Sequence, residues 1–420
     1  MRVFKFGGAS VKEAEAVRNV AAIIRDHGDI HNLLVVVSAM GKTTNALEQL
    51  LDTYFQKKPY DTAIEAIKQY HLTILKDLFE EGHLAYTTLD YYIAKLKDTL
   101  ANKINLEAFD EAYDQVVSFG ELISTNIIHL YLNSQAINSE WVDARQYIKT
   151  NNRWREGKVD LVWSESLIQK ELVPILSEKI VITQGFLGGT IGGKTTTLGR
   201  EGADYSAALF AACLKAASAT IWKDVPGILN ADPKLITDTK LFEYLTYKEA
   251  AEMTFYGAHV IHPKTIKPLA NKTIPLYVRS FVNPEKTGTC INGEKTDKQV
   301  PSIIFKFNQI LVTFKVKDLT FITEQNLSII LNALTKFNIK INLMQSTAIS
   351  FSICTENNLR KIEELKEYLQ TEFEIIDEKD SELITILNYD TPTLDKILAN
   401  KKVCLEQKTQ ASYRAVVKSL

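Results

Sequence analysis

Cysteine is scarce: four in 420 residues. Cys213, Cys290, Cys354 and Cys404 lie far apart without metal-ligand spacing and read as reduced, mostly buried thiols of a cytoplasmic protein. Net charge is nearly absent as well. The formal value of −2 leaves no basic stripe for a nucleic-acid partner. No apolar run approaches a membrane span, and the chain opens on a strand pattern instead of a signal peptide. What is present is ordinarily globular, 45% hydrophobic and 24% charged. The length exceeds one core, so two or three domains are expected.

The first ten residues organise the rest. Arg2–Phe6 is a short apolar run suited to one buried strand. It stops at Gly7-Gly8, where the missing Cβ lets backbone approach a ligand. Ser10 and Glu13 have capping-box spacing, which predicts a helix from there to about Asp26. Strand, glycine turn and helix N-terminus together make an anion site, to which Lys5 adds a positive charge. An ordinary β–α turn with a chance lysine explains the same residues.

Leu33–Val37 is a continuous apolar run, as in a parallel strand buried on both faces. It leads through Ser38 and Thr44 to a helix opened by Asn45 and Glu48. This is the doubly wound pattern, in which ligands sit at the carboxyl ends of strands. Residues 60 to 133 read as helical almost throughout. Gly120 within that stretch costs about 1 kcal/mol relative to alanine, which suggests close packing or a kink. Beside it, Glu121 is either a solvated helix charge or a carboxylate facing the site.

Strand patterns resume at Glu140–Asp143 and Ile180–Thr183. The densest glycine region follows, Gln184 through Asp204, then an alanine-rich helix from about Tyr205 to Lys215 with Asp204 as its expected N-cap. Arg200 and Asp204 suggest a pair across a glycine loop. Gly188–Thr195 satisfies the Walker A pattern, but Gly199 and Gly202 deny it the helix that a P-loop needs, so Lys194 reads as a loop lysine. After a strand at Ala219–Trp222 come a Pro-Gly turn at Lys223–Ile228 and two helices, around Tyr247–Phe255 and His262–Ala270. His259 and His262 have no third ligand nearby, so a packing or polar role is expected for them. Ile274–Phe281 is a strand.

Asn292–Pro301 looks like a linker. Beyond it the pattern is of a small α+β module: strands at Ile303–Val316, Ile339–Leu343, Ala348–Ile353, Leu383–Leu387 and Tyr413–Val417, and helices at 326–337, Leu359–Thr371 and Thr393–Leu398. It carries no catalytic constellation.

Residues 1–291 resemble the aspartate kinases of the amino-acid kinase superfamily. The resemblance rests on Lys5-Phe6-Gly7-Gly8-Ala9-Ser10, on Ser38-Ala39 with Thr44, and on Ser118-Phe119-Gly120-Glu121. It continues through Thr196-Thr197-Leu198-Gly199-Arg200, Asp204-Tyr205, Asp224-Val225-Pro226-Gly227 and Gly257-Ala258 to His262-Pro263, in family order. The tail resembles the family's tandem ACT domains. The resemblance implies an α/β chain with a three-layer αβα kinase fold and a mainly parallel central sheet over 1–292. An ACT-type α+β regulatory domain would follow over 300–420, as two interleaved units with the second one truncated at Leu420.

It also implies transfer of the ATP γ-phosphate to the β-carboxylate of L-aspartate, the entry to lysine, threonine and methionine synthesis. Mg²⁺ would bridge the nucleotide phosphates without a dedicated protein metal site, and a cytoplasmic homodimer joined through the ACT domains is expected. By the family's roles Lys5 and Asp204 are catalytic. Ser38, Thr44, Glu121, Phe186, Arg200 and Ala203 would hold aspartate, with Arg200 on a carboxylate and Glu121 on the ammonium. Lys5, Gly7, Gly8, Ser10, Lys223, Asp224, Leu229, Lys234, His259 and Val260 would border the nucleotide. Both substrates bring anions, so the site must supply cations and aim the groups.

Several positions depart from the family pattern. Ala9, Glu201 and Ala203 replace a threonine, a glycine and a serine, and Leu229 replaces a tyrosine. His259 stands at a lysine position; a histidine is mostly neutral at pH 7, which implies weaker ATP affinity or help from Lys264. Asn342 and Ala348 occupy the positions of the two carboxylates of the lysine-sensing pattern, so weak or absent inhibition by lysine is expected. Two other readings remain: another carboxylate- or amino-acid-directed kinase of the superfamily, or a non-catalytic regulatory paralogue.

Overall fold

The computed structural model describes residues 1–27, 31–102, 104, 107–258, 261–294, 300–317 and 320–420. Its contacts divide the chain into two units. One comprises Met1–Ile228, Leu241–Ala251 and Ile261–Thr296, and the other comprises Leu229–Lys240, Glu252–Val260 and Asp297–Leu420.

The first unit is built on strands β1 Arg2–Phe6, β2 Leu33–Val37, β3 Ser139–Trp141, β4 Ile180–Gln184, β5 Leu187–Gly189, β6 Thr195–Thr197, β7 Ser218–Lys223, β8 Tyr244–Thr246, β9 Leu276–Ser280 and β10 Thr289–Asn292. Eight of them form one sheet in the order β3-β4-β2-β1-β7-β9-β10-β8, while β5 and β6 make a separate hairpin. All pairings in the large sheet are parallel except β9 with β10. Every residue of β2 is fully buried, as expected for a strand covered on both faces. The first strand of the chain thus lies inside the sheet, with Lys5 opposite Val36 of β2 and Ile221 of β7. Phe6 stacks on Trp222 of β7, ring centroids 6.2 Å apart.

Five helices, α1 Ala14–His27, α2 Thr43–Phe55, α3 Asp61–Leu78, α4 Leu84–Asn102 and α5 Phe109–Ser134, join the sheet in a single hydrophobic cluster. The capping box expected at Ser10–Glu13 does not form. The glycine pair winds the chain into a 3₁₀ turn at Gly8–Val11, Ser10 donates its N–H to Gly7 O at 2.9 Å, and α1 begins only at Ala14. Gly120 marks close packing: a Cβ there would meet the Ala39 Cβ at 2.9 Å.

The second unit holds an antiparallel sheet, order β12-β13-β11-β14-β16-β15, in which β11 is Ser302–Val316, β12 Leu343–Ser346, β13 Ser350–Glu356, β14 Phe373–Leu387, β15 Lys401–Lys408 and β16 Ser412–Ser419. This is the α+β architecture expected of the tail. β11 and β14 are each long enough to pair twice, with a register shift between the halves. One half packs with helices Glu324–Lys336 and Leu359–Leu369, the other with Thr391–Leu398. The strand expected at Ile339–Leu343 starts at Leu343, because the preceding helix closes with Asn338 at φ 51° and Ile339 N–H on Leu334 O. The expected linker at Asn292–Pro301 falls partly outside the described residues.

Candidate active site

Parallel β1, β2, β4 and β7 end at one edge of the sheet. Against that edge lies a cleft of about 720 Å³ lined entirely by residues of the first unit. From β1, the Lys5 ammonium reaches Asp204 Oδ1 at 2.6 Å, and from the end of β7 the Lys223 ammonium stands 3.6 Å from Oδ2. Asp204 lies in the first turn of the helix Gly202–Leu214, where the dipole favours an anion. It is not the N-cap. That position belongs to Glu201 in a left-handed conformation, because Gly199 and Gly202 let the helix begin three residues earlier than the alanine run suggests. The expected Arg200–Asp204 pair does not form either; Asp204 is ion-paired with two lysines instead. Burial opposes its charge, but Lys5 and Lys223 hold the carboxyl below its ordinary range.

The opposite wall comes from α5. Glu121 is 3% exposed. Its Oε1 accepts a long bond from Ala39 N–H at 3.4 Å, and its Oε2 has no partner. The Ser124 hydroxyl donates to Ser38 O at 2.7 Å and ties the same loop to the helix. Burial, opposed only by hydrogen bonds from the Ala39 and Glu121 backbone, pushes the Glu121 carboxyl up to about 8. Burial without a charged partner favours the neutral acid.

The cleft gathers Lys5, Gly8, Ser38, Thr44, Glu121, Phe186, Arg200, Ala203, Asp204 and Lys223. Gly7 sits beside them, a Cβ there lying 3.3 Å from the Lys5 ammonium. Ser10 is buried in the turn behind, and Asp224 is exposed after β7. Leu229 and Lys234 belong to the second unit; His259 and Val260 lie outside the described residues. His262 caps the helix Pro263–Asn271, its Nδ1 accepting the Lys264 N–H at 3.2 Å. Lys264 gives its ammonium to Leu198 O at 2.8 Å. Lys194 turns the β5–β6 hairpin, ion-paired with Glu111, and is followed by a strand and not by a P-loop helix.

Tyr113, Arg155 and Glu156 also line the cleft with Thr197, and the sequence reading does not single out the first three. Tyr113 had a legible signal: it precedes Glu121 by eight positions on one helix face. Arg155 had none.

A cation pair around a buried aspartate, facing an unpartnered carboxyl across one cleft, fits a kinase for a zwitterionic acid. Residues 1–280 match the amino acid kinase family. Lysine-sensitive aspartokinase 3 of Escherichia coli is 32% identical over 352 residues, which are 84% of this chain and 77% of that one. The chloroplastic bifunctional aspartokinase/homoserine dehydrogenase of Daucus carota is 35% identical over 297 residues, 70% of this chain but 32% of that longer protein. The structure of E. coli aspartokinase III with lysine and aspartate superposes with TM-score 0.82 at 27% identity, covering 100% of this chain and 96% of that one. The complex with aspartate and ADP gives 0.79 at 26%, with the same coverage. The chain belongs to the aspartokinases, the branch of the amino acid kinase family that these relatives define.

Proposed function

We propose that the residues gathered in the cleft divide the aspartokinase reaction as follows. A β-carboxylate oxygen of L-aspartate attacks the γ-phosphorus of ATP, and the bond from that phosphorus to ADP breaks. The acceptor is already an anion, so no proton need be removed. Catalysis then rests on bringing two anions together and balancing charge on the transferring group. Lys5 and Lys223 supply that charge, and Asp204 fixes both ammoniums at the sheet edge. Glu121 receives the substrate ammonium, and Arg200 grips the non-reacting carboxylate. Ser38 and Thr44 add hydrogen bonds, while Phe186 and Ala203 shape the wall. Gly7, Gly8 and Ser10 form the turn beneath the phosphates, with Asp224 on the nucleotide side.

Among the described residues no group of three or more His, Cys, Asp or Glu could hold a metal, and Asp204 already serves two lysines. Mg²⁺ fits only as an ion carried largely by the nucleotide phosphates, where it would neutralise their charge.

The observation that carries the reading is the coexistence, in one cleft, of the Lys5–Asp204–Lys223 cluster and the orphaned Glu121. A hydroxamate assay with ATP and Mg²⁺, run with aspartate, glutamate or no acceptor, tests it. Product with aspartate alone is expected; product with glutamate alone would overturn it.

Regulation follows from the second unit. Asn342 already accepts from the Lys306 ammonium at 3.1 Å and donates to Gln309 Oε1 at 2.8 Å. It replaces a carboxylate by an amide with a cation beside it, so we assign this chain weak or no inhibition by lysine. The sheet's outer strands, β12 and β15, each pair on one side only, which suits the unit to a homodimer contact.

A further inference from the structure

Arg155 lies on the cleft wall with φ 62°, and Phe186 and Glu201, also on that wall, have φ 68° and 55°. A left-handed non-glycine residue persists only where its surroundings over-determine it, and such residues collect at functional sites. The surroundings here are explicit. The Arg155 N–H donates to Asp114 Oδ2 at 2.9 Å, and the Thr197 hydroxyl donates to Oδ1 of the same carboxylate at 2.7 Å. Gly157 N–H donates to Thr197 O at 2.8 Å. The guanidinium rests 4.1 Å from the Tyr113 ring centroid, and the Tyr113 hydroxyl donates to Glu48 at 2.5 Å. Stacking of this kind holds a guanidinium plane while leaving its edge donors for a ligand. Its acidic contact, Asp110 at 3.5 Å, is exposed.

The same wall carries a second guanidinium, that of Arg200. Gly199 is where this segment meets the Arg200 loop, since a Cβ there would lie 3.3 Å from Arg155 O. The nearby acids are otherwise engaged: Glu156 pairs with Arg153 at 2.8 Å, and Glu201 accepts the His262 N–H at 3.1 Å.

We infer that Arg155 is a second substrate-binding arginine that shares with Arg200 the non-reacting carboxylate of a dicarboxylic amino acid, with Tyr113 and Asp114 as its positioning pair. The inference rests on the aspartokinase reading above. The test compares wild type with Arg155→Gly and Arg155→Lys in the full chain. Glycine suits the left-handed backbone, so Arg155→Gly is expected to melt no lower than wild type. Its aspartate KM should rise about tenfold or more with kcat and the ATP KM within about threefold, the pattern of lost uniform binding. Arg155→Lys, which keeps the charge without the planar fork, should fall between the two. An unchanged aspartate KM in Arg155→Gly, or a parallel rise in the ATP KM, overturns the inference. A wild type without aspartate-dependent ADP release overturns the underlying reading instead, so the two failures are distinguishable.

Discussion

Aspartate affinity measured across about pH 6.5 to 9 tests how Glu121 meets its ligand. Burial moves this carboxyl from 4.5 up to about 8, and no other ionisable side chain contributes to the shift. At ~1.4 kcal/mol per pH unit the change amounts to roughly 5 kcal/mol against the charged form. A carboxyl raised that far would carry its proton at pH 7 before substrate arrives, and an arriving ammonium needs the carboxylate. Binding must release that proton, so apparent affinity rises with pH below about 8 and levels off above it. The ionised fraction climbs from roughly 9% at pH 7 to about half at pH 8, which predicts an affinity gain of about fivefold over that step. Calorimetry in two buffers of different ionisation enthalpy should count about 0.9 proton released per aspartate at pH 7. A flat affinity over this range, or no proton release, refutes the reasoning. Stability moves the opposite way. With the folded pKa raised, the contribution is complete below about pH 4.5 and lost as pH rises through about 8. Glu121→Gln should therefore bind aspartate poorly at every pH yet melt higher than unliganded wild type at alkaline pH.

Lys5→Met removes one of the two cations at Asp204 and is expected to lower kcat by about 10²–10³-fold, with a smaller change in aspartate KM; a kcat near wild type contradicts the assigned role. Gly8→Ala places a Cβ 2.8 Å from Ala39 O and 3.0 Å from Gly41 O, a backbone clash expected to cost about 1–3 kcal/mol in urea unfolding. His71 is fully buried, its Nδ1 on Ile67 O at 2.8 Å and its Nε2 without a partner. Burial pulls it from 6.5 down to about 4, so stability is complete above about pH 6.5 and roughly 3 kcal/mol is lost as pH falls toward 4; His71→Leu should flatten that profile. Lysine titrated to millimolar levels should leave activity unchanged, and sharp inhibition would refute the assignment made from Asn342 and Ala348.

The sheet edge was legible because its signals are local. The apolar runs of β1 and β2 and the glycine pair after β1 each announce themselves within a few residues, and Gly120 flagged the close approach that buries Glu121. Asp204 was misread as a cap for the same reason: a capping rule looks a few residues away, while Lys5 and Lys223 arrive on strands distant in sequence. Arg155 was silent because its importance lies in a backbone angle that sequence assigns by default to glycine. β15, Lys401–Lys408, was missed because most of its side chains are exposed or half-buried, which erases the alternation that marks a strand. Ser10 shows the converse, a correct capping spacing overridden by a glycine turn.

The interior position of β1 has a consequence for biogenesis. As the chain leaves the ribosome, Arg2–Phe6 can pair with Leu33–Val37 at once, but its other edge belongs to Ser218–Lys223. Until those residues are made, a short, apolar, parallel edge stands open, and such edges invite pairing with the wrong chain. Lys5 is thus synthesised well before the strand that carries Lys223, its companion at Asp204, and that strand closes the open edge only after the intervening chain has appeared. Nascent chains halted before residue 218 are the species in which aggregation and chaperone capture should concentrate.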